Sequence, residues 1–210
     1  MTVDGVPERR IDVKLDPSQH TVAVDGRPLC YRRYLYIMMN KPGGVVSASN
    51  DSHVKTVIDI LPPELRRKGL FPVGRLDKDT EGLLIITDDG DFSHSVTSPG
   101  KKVYKTYHAL LDGAIDEEGL SRIRQGIVID GGEQCLPAQV AELDKENFIY
   151  EIKICEGKYH QVKRMAQAVG RRVLRLERVA VGDLALDSAL DRGESRELSR
   201  EEIDILTQNV

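Results

Sequence analysis

Strand-like and helix-like segments follow one another in mixed order along this chain, and that order limits the possible folds most. Apolar runs of strand length occur at 34–39, 70–73, 83–87, 103–111, 138–143, 148–155 and 173–181. Helical patterns occur at 54–61, 116–125 and 158–169, and a last helix opens with the capping box Ser199 and Glu202. A doubly wound parallel sheet would need strict alternation of strand and helix. The order therefore predicts an α+β domain with a largely antiparallel, mixed sheet flanked by helices.

The first 29 residues carry a separate, shorter pattern. Asp4-Gly5 and Asp25-Gly26 are hairpin-turn signals beside short β-branched runs. So few residues bury too little apolar surface to fold alone. We therefore expect a small β-rich remnant at residues 1–29 and a main domain at residues 30–210.

The composition is that of a soluble chain that stays in the cytoplasm. No apolar run approaches the roughly 20 residues of a membrane helix, and the amino end lacks the pattern of a secretory signal. Cys30, Cys135 and Cys155 are odd in number and far apart. We expect three reduced, buried thiols rather than a disulfide framework or a zinc site, and no membrane partner.

Charge is distributed unevenly, although the net charge is only −4. Seven basic residues and one glutamate lie between positions 158 and 178; the basic ones are Lys158, Lys163, Arg164, Arg171, Arg172, Arg175 and Arg178. Positions 191–204 hold six acids and three bases. A local basic face is enough to bind phosphates. An ordinary solvated helix face is the alternative, and the charges alone do not decide between the two.

The segment 74–90 has the most unusual chemistry of the chain. Gly74 and Gly82 enclose a loop that holds Asp77, Asp79 and Glu81, and an apolar strand follows. Glycines allow sharp turns that bring a short side chain close to a ligand. A carboxylate in such a loop can act as a nucleophile, a base or a metal ligand.

The same carboxylates partly fit a calcium-binding loop. Asp77, Asp79, Glu81, Gly82 and Asp88 occupy positions 1, 3, 5, 6 and 12 of that pattern. However, a strand-like segment stands where the entering helix belongs, and position 12 is Asp rather than a bidentate Glu. The five histidines show no transition-metal spacing, and no phosphate loop or dinucleotide fingerprint occurs. The sequence therefore predicts no metal and no cofactor, and its chemistry alone leaves the reaction open.

Four motifs, in this order along the chain, resemble those of the pseudouridine synthase family. They are an NKPxG turn at 40–44, the GRLDxxTxGLL loop at 74–84, a KTY strand at 105–107 and an EGxxxQVKRM…AVG helix at 156–170. The helix sequence HQVKR at 160–164 and the segment TDDG at 87–90 are closest to the branch that modifies 16S ribosomal RNA of the small subunit. Relatives that act on the large subunit more often carry RQIRR there.

The resemblance implies the pseudouridine synthase fold and the isomerisation of uridine to pseudouridine without a cofactor. Asp77 would attack the flipped uridine, at C6 of the base or at C1′ of the sugar, and the uracil would rejoin through C5. Tyr107 would stack on the base and handle the C5 proton; a tyrosine that only packs between strands is the alternative. Lys163 would pair with Asp77, since a nearby cation favours the ionised carboxylate. Arg164 is the other candidate for that pairing.

The resemblance also suggests contacts with RNA. Arg75 would fill the space that the flipped base leaves or grip its phosphate, unless it pairs with Asp79 or Glu81. The other predicted contacts, which would position rather than specify, are Lys41, Lys101, Lys102, His160, Arg164, Arg171 and Arg172. Asp79 and Glu81 are not expected to be catalytic. Thr80 is expected to brace the loop through its hydroxyl.

The expected partner is ribosomal RNA within a small-subunit assembly intermediate, and the expected oligomeric state is a monomer. Family members begin with an alpha-L RNA-binding module of two helices and a β-rich half. Thr2-Val3-Asp4-Gly5 resembles its middle, so residues 1–29 are interpreted as a truncated module with weakened, salt-dependent RNA affinity. The alternatives are a synthase for large-subunit ribosomal RNA, a non-catalytic ribosome-assembly factor that binds RNA, and a calcium-binding domain. The combination of Asp77, Tyr107 and Lys163 favours the enzyme.

Overall fold

The computed structural model describes residues 1–10, 12–16, 19–28 and 32–208. They divide into two compact units, Met1–Tyr34 and Leu35–Val210. The predicted domain start at residue 30 and the predicted buried thiol of Cys30 lie outside the described residues. Cys135 and Cys155 are buried and free, as the sequence predicts.

The first unit is a four-stranded antiparallel sheet. Its strands are β1 (Thr2–Val3), β2 (Val6–Pro7), β3 (Val22–Val24) and β4 (Arg27–Pro28), in the order β2-β1-β3-β4. Asp4 and Gly5 join the first pair and Asp25 and Gly26 the second, all with positive φ. Both hairpin turns predicted from the Asp-Gly pairs are confirmed.

The second unit is built on a nine-stranded sheet. The strands of this unit are β5 (Tyr36–Lys41), β6 (Phe71–Pro72), β7 (Glu81–Thr87), β8 (Lys105–Leu111), β9 (Val128–Ile129), β10 (Glu133–Gln134), β11 (Gln139–Asp144), β12 (Ile149–Ile154), β13 (Val173–Val181), β14 (Leu184–Ala185) and β15 (Ser195–Glu197). The main order is β11-β12-β8-β13-β7-β5-β15; β6 pairs with β7 and β14 with β13, whereas β9 and β10 form a separate ribbon. Within this sheet, β13 and β7 pair in parallel and the other described pairs are antiparallel. The predicted α+β class with a largely antiparallel, mixed sheet is confirmed.

The described α-helices are α1 (Gly90–Thr97), α2 (Glu117–Gln125), α3 (Gln161–Ala168) and α4 (Arg200–Gln208). The predicted capping box opens α4: the N–H of Ser199 donates to Glu202 Oε2 at 2.8 Å, and the N–H of Glu202 donates to Ser199 Oγ at 3.2 Å. The sequence did not predict α1, because it buries only Phe92 and Val96 among polar residues. None of these described helices has the length and apolar content of a membrane span.

Two helix predictions need correction. Residues 54–61 form turns, not a helix, because Asp59 Oδ2 accepts hydrogen bonds from both the N–H and the hydroxyl of Thr56. A 3₁₀ helix, Pro63–Leu65, follows. Helix α3 begins at Gln161 rather than at position 158, because His160 has the left-handed conformation, with φ of 48°. Gly170 lies beyond the end of α3 with φ of 71°, as predicted for a C′ glycine.

The sheet of the second unit separates two apolar layers. Alternate side chains of β7 serve both layers: Leu84 and Ile86 belong to one, Leu83 and Ile85 to the other. Helices α2 and α3 contribute their buried residues to the first layer, and α1 and α4 to the second. Helix α3 therefore lies on the face of the sheet that also carries Tyr107.

Candidate active site

Hydrogen bonds fix the loop between β6 and β7 on both sides of Asp77. The hydroxyl of Ser47 donates to the carbonyl of Leu76 at 2.9 Å and accepts the N–H of Leu76 at 3.1 Å. The N–H of Thr80 donates to the carbonyl of Asp77 at 3.1 Å. Gly74 and Gly82 have φ of 71° and 97°, which favours glycine at both ends of the loop. The backbone of Asp77 is therefore held in one place before any substrate binds.

Lys41 also holds this loop, through hydrogen bonds to its backbone. The prediction that Lys41 contacts a phosphate of the RNA is therefore wrong. Its side chain is fully buried, and Nζ donates to the carbonyls of Pro42, Lys78 and Thr80 at 3.0, 3.3 and 2.8 Å. The ammonium thus satisfies backbone groups on both sides of Asp79 and has no path to a phosphate. Burial lowers the pKa of Lys41 to about 8, against the opposing effect of the nearby carboxylates.

This buried ammonium predicts an unusual dependence of stability on pH. The folded pKa of Lys41 lies below its ordinary value of 10.5, so the cost of burying the charge is fully present below pH 8. That cost falls as the pH rises towards 10.5, because the unfolded chain then binds the proton more readily than the folded one. Relative to Lys41→Met, the free energy of unfolding of the parent should increase by about 3 kcal/mol over this range. Urea unfolding at several pH values measures the difference, and parallel curves for the two proteins would contradict it.

Helix α3 brings a lysine to the carboxylate of Asp77. Lys163 Nζ lies 2.9 Å from Asp77 Oδ2 and 2.6 Å from Asp79 Oδ1, and His160 Nε2 lies 3.5 Å from Asp77 Oδ1. Burial opposes the charged form of Lys163, but hydrogen bonds to Asp79 and Asp77 outweigh it and raise its pKa. The hydrogen bond from Lys163 lowers the pKa of Asp79. The arrangement keeps a positive charge against the carboxylates of this loop.

Arg164, the other candidate for pairing with Asp77, points elsewhere. Its guanidinium forms ion pairs with Asp130 and with Glu133, the latter at 2.6 Å, and Nη1 donates to the carbonyl of Tyr159. Lys163 is therefore the cation beside Asp77. These two carboxylates compensate the charge of Arg164, which argues against its predicted contact with RNA.

Asp77 lines a cleft of about 700 Å³. Its walls include Arg75, Leu76, Tyr107, His160 and residues of β7 and β13. A smaller recess adjoins Asp77 and Tyr107, and its lining combines apolar side chains, among them Val162 and Leu176, with polar and charged ones. A cleft of this size, whose wall carries charged and polar groups beside apolar ones, can hold a small ligand or a single nucleotide.

Two loop residues differ in part from their predicted environment. Thr80 Oγ1 is buried and has no hydrogen-bond partner among the described residues, so the predicted bracing through its hydroxyl is wrong. The backbone N–H of Thr80 makes the bond instead. Arg75 is exposed and has no carboxylate partner in the described part of the chain, whereas Asp79 pairs with Lys163 and Glu81 with Arg175. The side chain of Arg75 therefore lies at the wall of the cleft without a carboxylate beside it.

The remaining predicted RNA contacts lie outside the cleft. Lys101 and Lys102 are exposed beyond α1, and Arg172 is exposed beyond α3, 3.9 Å from Asp112. The guanidinium of Arg171 donates to the carbonyls of Ala114 and Gly170. Their role as phosphate contacts stays a prediction.

Three cleft residues were not given a role from the sequence. Tyr159 is 73% exposed and stacks on His160, with ring centroids 3.8 Å apart and an interplanar angle of 18°. Lys105 and Arg178 also line the cleft. Lys105 shares a strand face with Tyr107 because it lies two positions before it, and that spacing could have revealed it. No comparable signal separated Arg178 from the other basic residues of its segment.

The carboxylates of the loop do not converge as ligands of a metal would. Asp77 and Asp79 face Lys163, and Glu81 faces Arg175 and Arg192. Among the described residues, no group of three or more His, Cys, Asp or Glu side chains is placed to hold a metal ion. The geometry places instead a carboxylate with a cationic partner at the mouth of a cleft.

Comparison with known proteins identifies the class. Residues 35–168 match the family described as RNA pseudouridylate synthase. The uncharacterized RNA pseudouridine synthase YtzG of Bacillus subtilis is 46% identical over 208 residues, 98% of this chain and 87% of that protein. Ribosomal small subunit pseudouridine synthase A is 41% identical in Vibrio cholerae and 39% in Escherichia coli, each over 97% of this chain and 87% of the relative.

Solved structures agree with this assignment. A crystal structure of a pseudouridylate synthase has a TM-score of 0.76 and 34% identity, and it covers 98% of this chain and 87% of its own. The archaeal box H/ACA sRNP Nop10–Cbf5 complex, at a TM-score of 0.54 and 18% identity over 77% of this chain and 52% of that one, shares the fold. The fold, the family match and these relatives define the class as an RNA-modifying isomerase. This chain belongs to the pseudouridine synthase family, as its four motifs predict.

Proposed function

We propose that this protein converts a uridine of small-subunit (16S) ribosomal RNA to pseudouridine, with Asp77 as the nucleophile. The observation that carries the proposal is the ion pair of Asp77 and Lys163, 2.9 Å long, in a cleft that Tyr107 lines. The small-subunit target is supported by the relatives in Vibrio cholerae and Escherichia coli, whose names state it. The proposed substrate is the RNA of a cytoplasmic assembly intermediate, and the proposed enzyme is a monomer.

The reaction needs one nucleophile and two proton transfers, one from C5 and one to N1. Attack by the carboxylate of Asp77 on C1′ or on C6 of the uridine leads to cleavage of the bond between N1 and C1′. The uracil then turns and its C5 bonds to C1′, while the ester bond that Asp77 formed in its attack breaks and releases the carboxylate. The C5 proton leaves to a base, and N1 takes up a proton in place of its bond to C1′. Atoms balance without a co-substrate, because product and substrate are isomers. We assign the stacking of the base and the handling of the C5 proton to Tyr107, which is 9% exposed.

The target must leave its stack to reach Asp77, and the cleft offers groups that offset this cost. Extraction of a base costs a few kcal/mol. Arg75 is exposed at the wall of the cleft, where it can enter the gap in the RNA. The exposed ring of Tyr159, which stacks on His160, offers a flat surface for a neighbouring base.

Replacing Lys163 with Met should lower the single-turnover rate about 10²- to 10³-fold, the range for losing one preorganised electrostatic contact. The reason is that Asp77 then lacks its cation when RNA closes over the cleft. Lys163→Arg should recover part of the rate. Arg164→Met provides the matched comparison, since this neighbour pairs with Asp130 and Glu133, and should lose far less. Equal losses for the two methionine variants would contradict the role of Lys163.

The substrate assignment is tested by release of tritium from C5-labelled RNA. Three substrates are compared: a free 16S transcript, a partly assembled small-subunit particle and a free 23S transcript. We expect release from the small-subunit RNA, with the particle favoured, and none from the 23S transcript. Release from the 23S transcript alone would establish a large-subunit enzyme. RNA binding without release from any substrate would instead indicate a non-catalytic assembly factor.

A further inference from the structure

Two cations lie in the cleft beside Tyr107. Lys105 begins β8, and Arg178 lies in β13; both line the cleft that contains Asp77. Lys105 and Tyr107 are two positions apart and so share one face of β8. Arg178 is directly opposite Tyr107 in the antiparallel register, which places its side chain on that face too. The three side chains therefore form one group on the wall of the cleft.

Neither cation has an ion-pair partner in the described part of the chain. Arg178 is 4% exposed, and its Nε donates to the carbonyl of Leu83 at 2.8 Å, which fixes the guanidinium against β7. Lys105 is half-buried. Burial lowers the pKa of Lys105, and the positive charge of Arg178 lowers it further. Charges that are removed from water are normally paired, so two neighbouring cations without an ion-pair partner leave a local excess of positive charge on this wall of the cleft.

An anion is the ligand that this excess fits. The uracil base of the substrate is neutral, whereas each phosphodiester of RNA carries a permanent negative charge. A guanidinium and an ammonium both form charge-assisted hydrogen bonds with phosphate oxygens. We propose that Lys105 and Arg178 form a phosphate subsite that binds the phosphodiester next to the target uridine. This inference rests on the proposed function, because it needs a flipped nucleotide in the cleft.

The position of the subsite gives it a role that exposed cations do not have. Exposed lysines such as Lys101 and Lys102 can meet the backbone of RNA in any conformation. Lys105 and Arg178 lie inside the cleft, so a phosphate reaches them only when its nucleotide has left the stack. The subsite therefore stabilises the flipped state specifically and offsets part of the cost of base extraction.

A binding cycle between protein and RNA tests the subsite. The probe is a small-subunit RNA stem-loop that carries the uridine at which tritium is released. One phosphate at a time, on the 5′ or the 3′ side of this uridine, is replaced by an uncharged methylphosphonate. Affinity is measured in an Asp77→Asn background, so that no turnover occurs. In this background, one of the two neutral linkages should weaken binding about tenfold, as expected for the loss of a charge-assisted hydrogen bond.

Lys105→Gln should weaken binding of the unmodified RNA by a similar factor and cause no further loss with the neutral linkage. Arg178→Lys keeps the charge of a buried residue and should retain part of the coupling. Lys153→Gln is the matched control, because Lys153 lies on neighbouring β12, pairs with Glu151 and does not line the cleft. In this variant, the effect of the substitution on affinity and the effect of the neutral linkage should be independent of each other. Thermal unfolding of each variant confirms that the fold is kept.

If Lys105→Gln and each methylphosphonate lowered the affinity independently, so that their effects multiplied, the phosphate subsite would be overturned. An unchanged affinity of the Asp77→Asn protein for the RNA with either neutral linkage would overturn the subsite as well. Tritium release by the parent from the same stem-loop reports separately on the proposed function. If tritium is released but the affinity losses are independent, only the phosphate subsite is wrong. If no small-subunit RNA releases tritium, the proposed function is wrong, and this inference is wrong with it.

Discussion

Asp77→Asn is expected to abolish pseudouridine formation, with a rate loss of about 10⁴-fold or more, while folding and RNA binding persist. Asparagine has nearly the same volume as aspartate and can accept a hydrogen bond from Lys163, so the loop keeps its shape. An amide, however, is not a competent nucleophile at uridine. The pseudouridine content of digested RNA, separated by chromatography, measures the rate. Binding of the same RNA is measured in parallel.

Asp79→Asn is the matched control for this loss. Asp79 lies in the same loop and pairs with the same Lys163, but its side chain is 77% exposed. Exposed ion pairs contribute little, so the rate should fall by less than about tenfold. If Asp79→Asn were as inactive as Asp77→Asn, or if Asp77→Asn kept its turnover, the assignment of the nucleophile would be wrong.

Gly82→Ala is expected to lower the free energy of unfolding of the second unit by about 3–5 kcal/mol, the range of severe backbone conflicts. Gly82 has φ of 97° and lies opposite Arg178 in the parallel pairing of β7 and β13. A Cβ there would stand 2.3 Å from the carbonyl oxygen of Arg178 and 2.9 Å from its nitrogen. These are backbone atoms, which cannot rotate away, so the two strands must separate.

Gly90→Ala shows whether the loss is specific to that contact. An added Cβ at Gly90, at the start of α1, meets nothing within 4 Å, and the residue has no positive φ. Its stability should stay within about 0.5 kcal/mol of the parent. Urea unfolding compares the two variants with the parent. An unchanged midpoint for Gly82→Ala would show that β7 and β13 do not approach as described.

Local patterns predicted the elements that depend on local interactions. The Asp-Gly turns, the capping box at Ser199 and the apolar strand at 83–87 each carry their own signal in a few adjacent residues. Other elements depend on distant partners. Strand β15 is polar and half-buried, and it forms because it pairs with β5. Residues 54–61 have helical spacing, but the side-chain bonds of Asp59 hold them as turns.

The residues of the site divide in the same way, into those that a sequence motif indicates and those whose position depends on distant partners. The four motifs indicated Asp77, Tyr107 and Lys163 as neighbours, although they lie in a loop, a strand and a helix far apart in the chain. Composition and spacing alone reached only a carboxylate loop and a basic helix. The sequence alone predicts Lys41 as a phosphate contact, because a lysine in a turn motif is usually exposed. Its burial arises from the pairing of β5 with β7 beneath the loop, which no local pattern reveals.

A crystal structure of the Asp77→Asn protein bound to a small-subunit RNA fragment would show whether a flipped uridine reaches the side chain at position 77. We expect the target uridine to be flipped out of its stack and seated in the cleft. Its base should lie on Tyr107, and its C1′ or C6 should face the side chain at position 77, next to Lys163. A uridine that stays stacked in its RNA while the cleft is empty, or an RNA bound away from Asp77, would contradict the proposed role of Asp77.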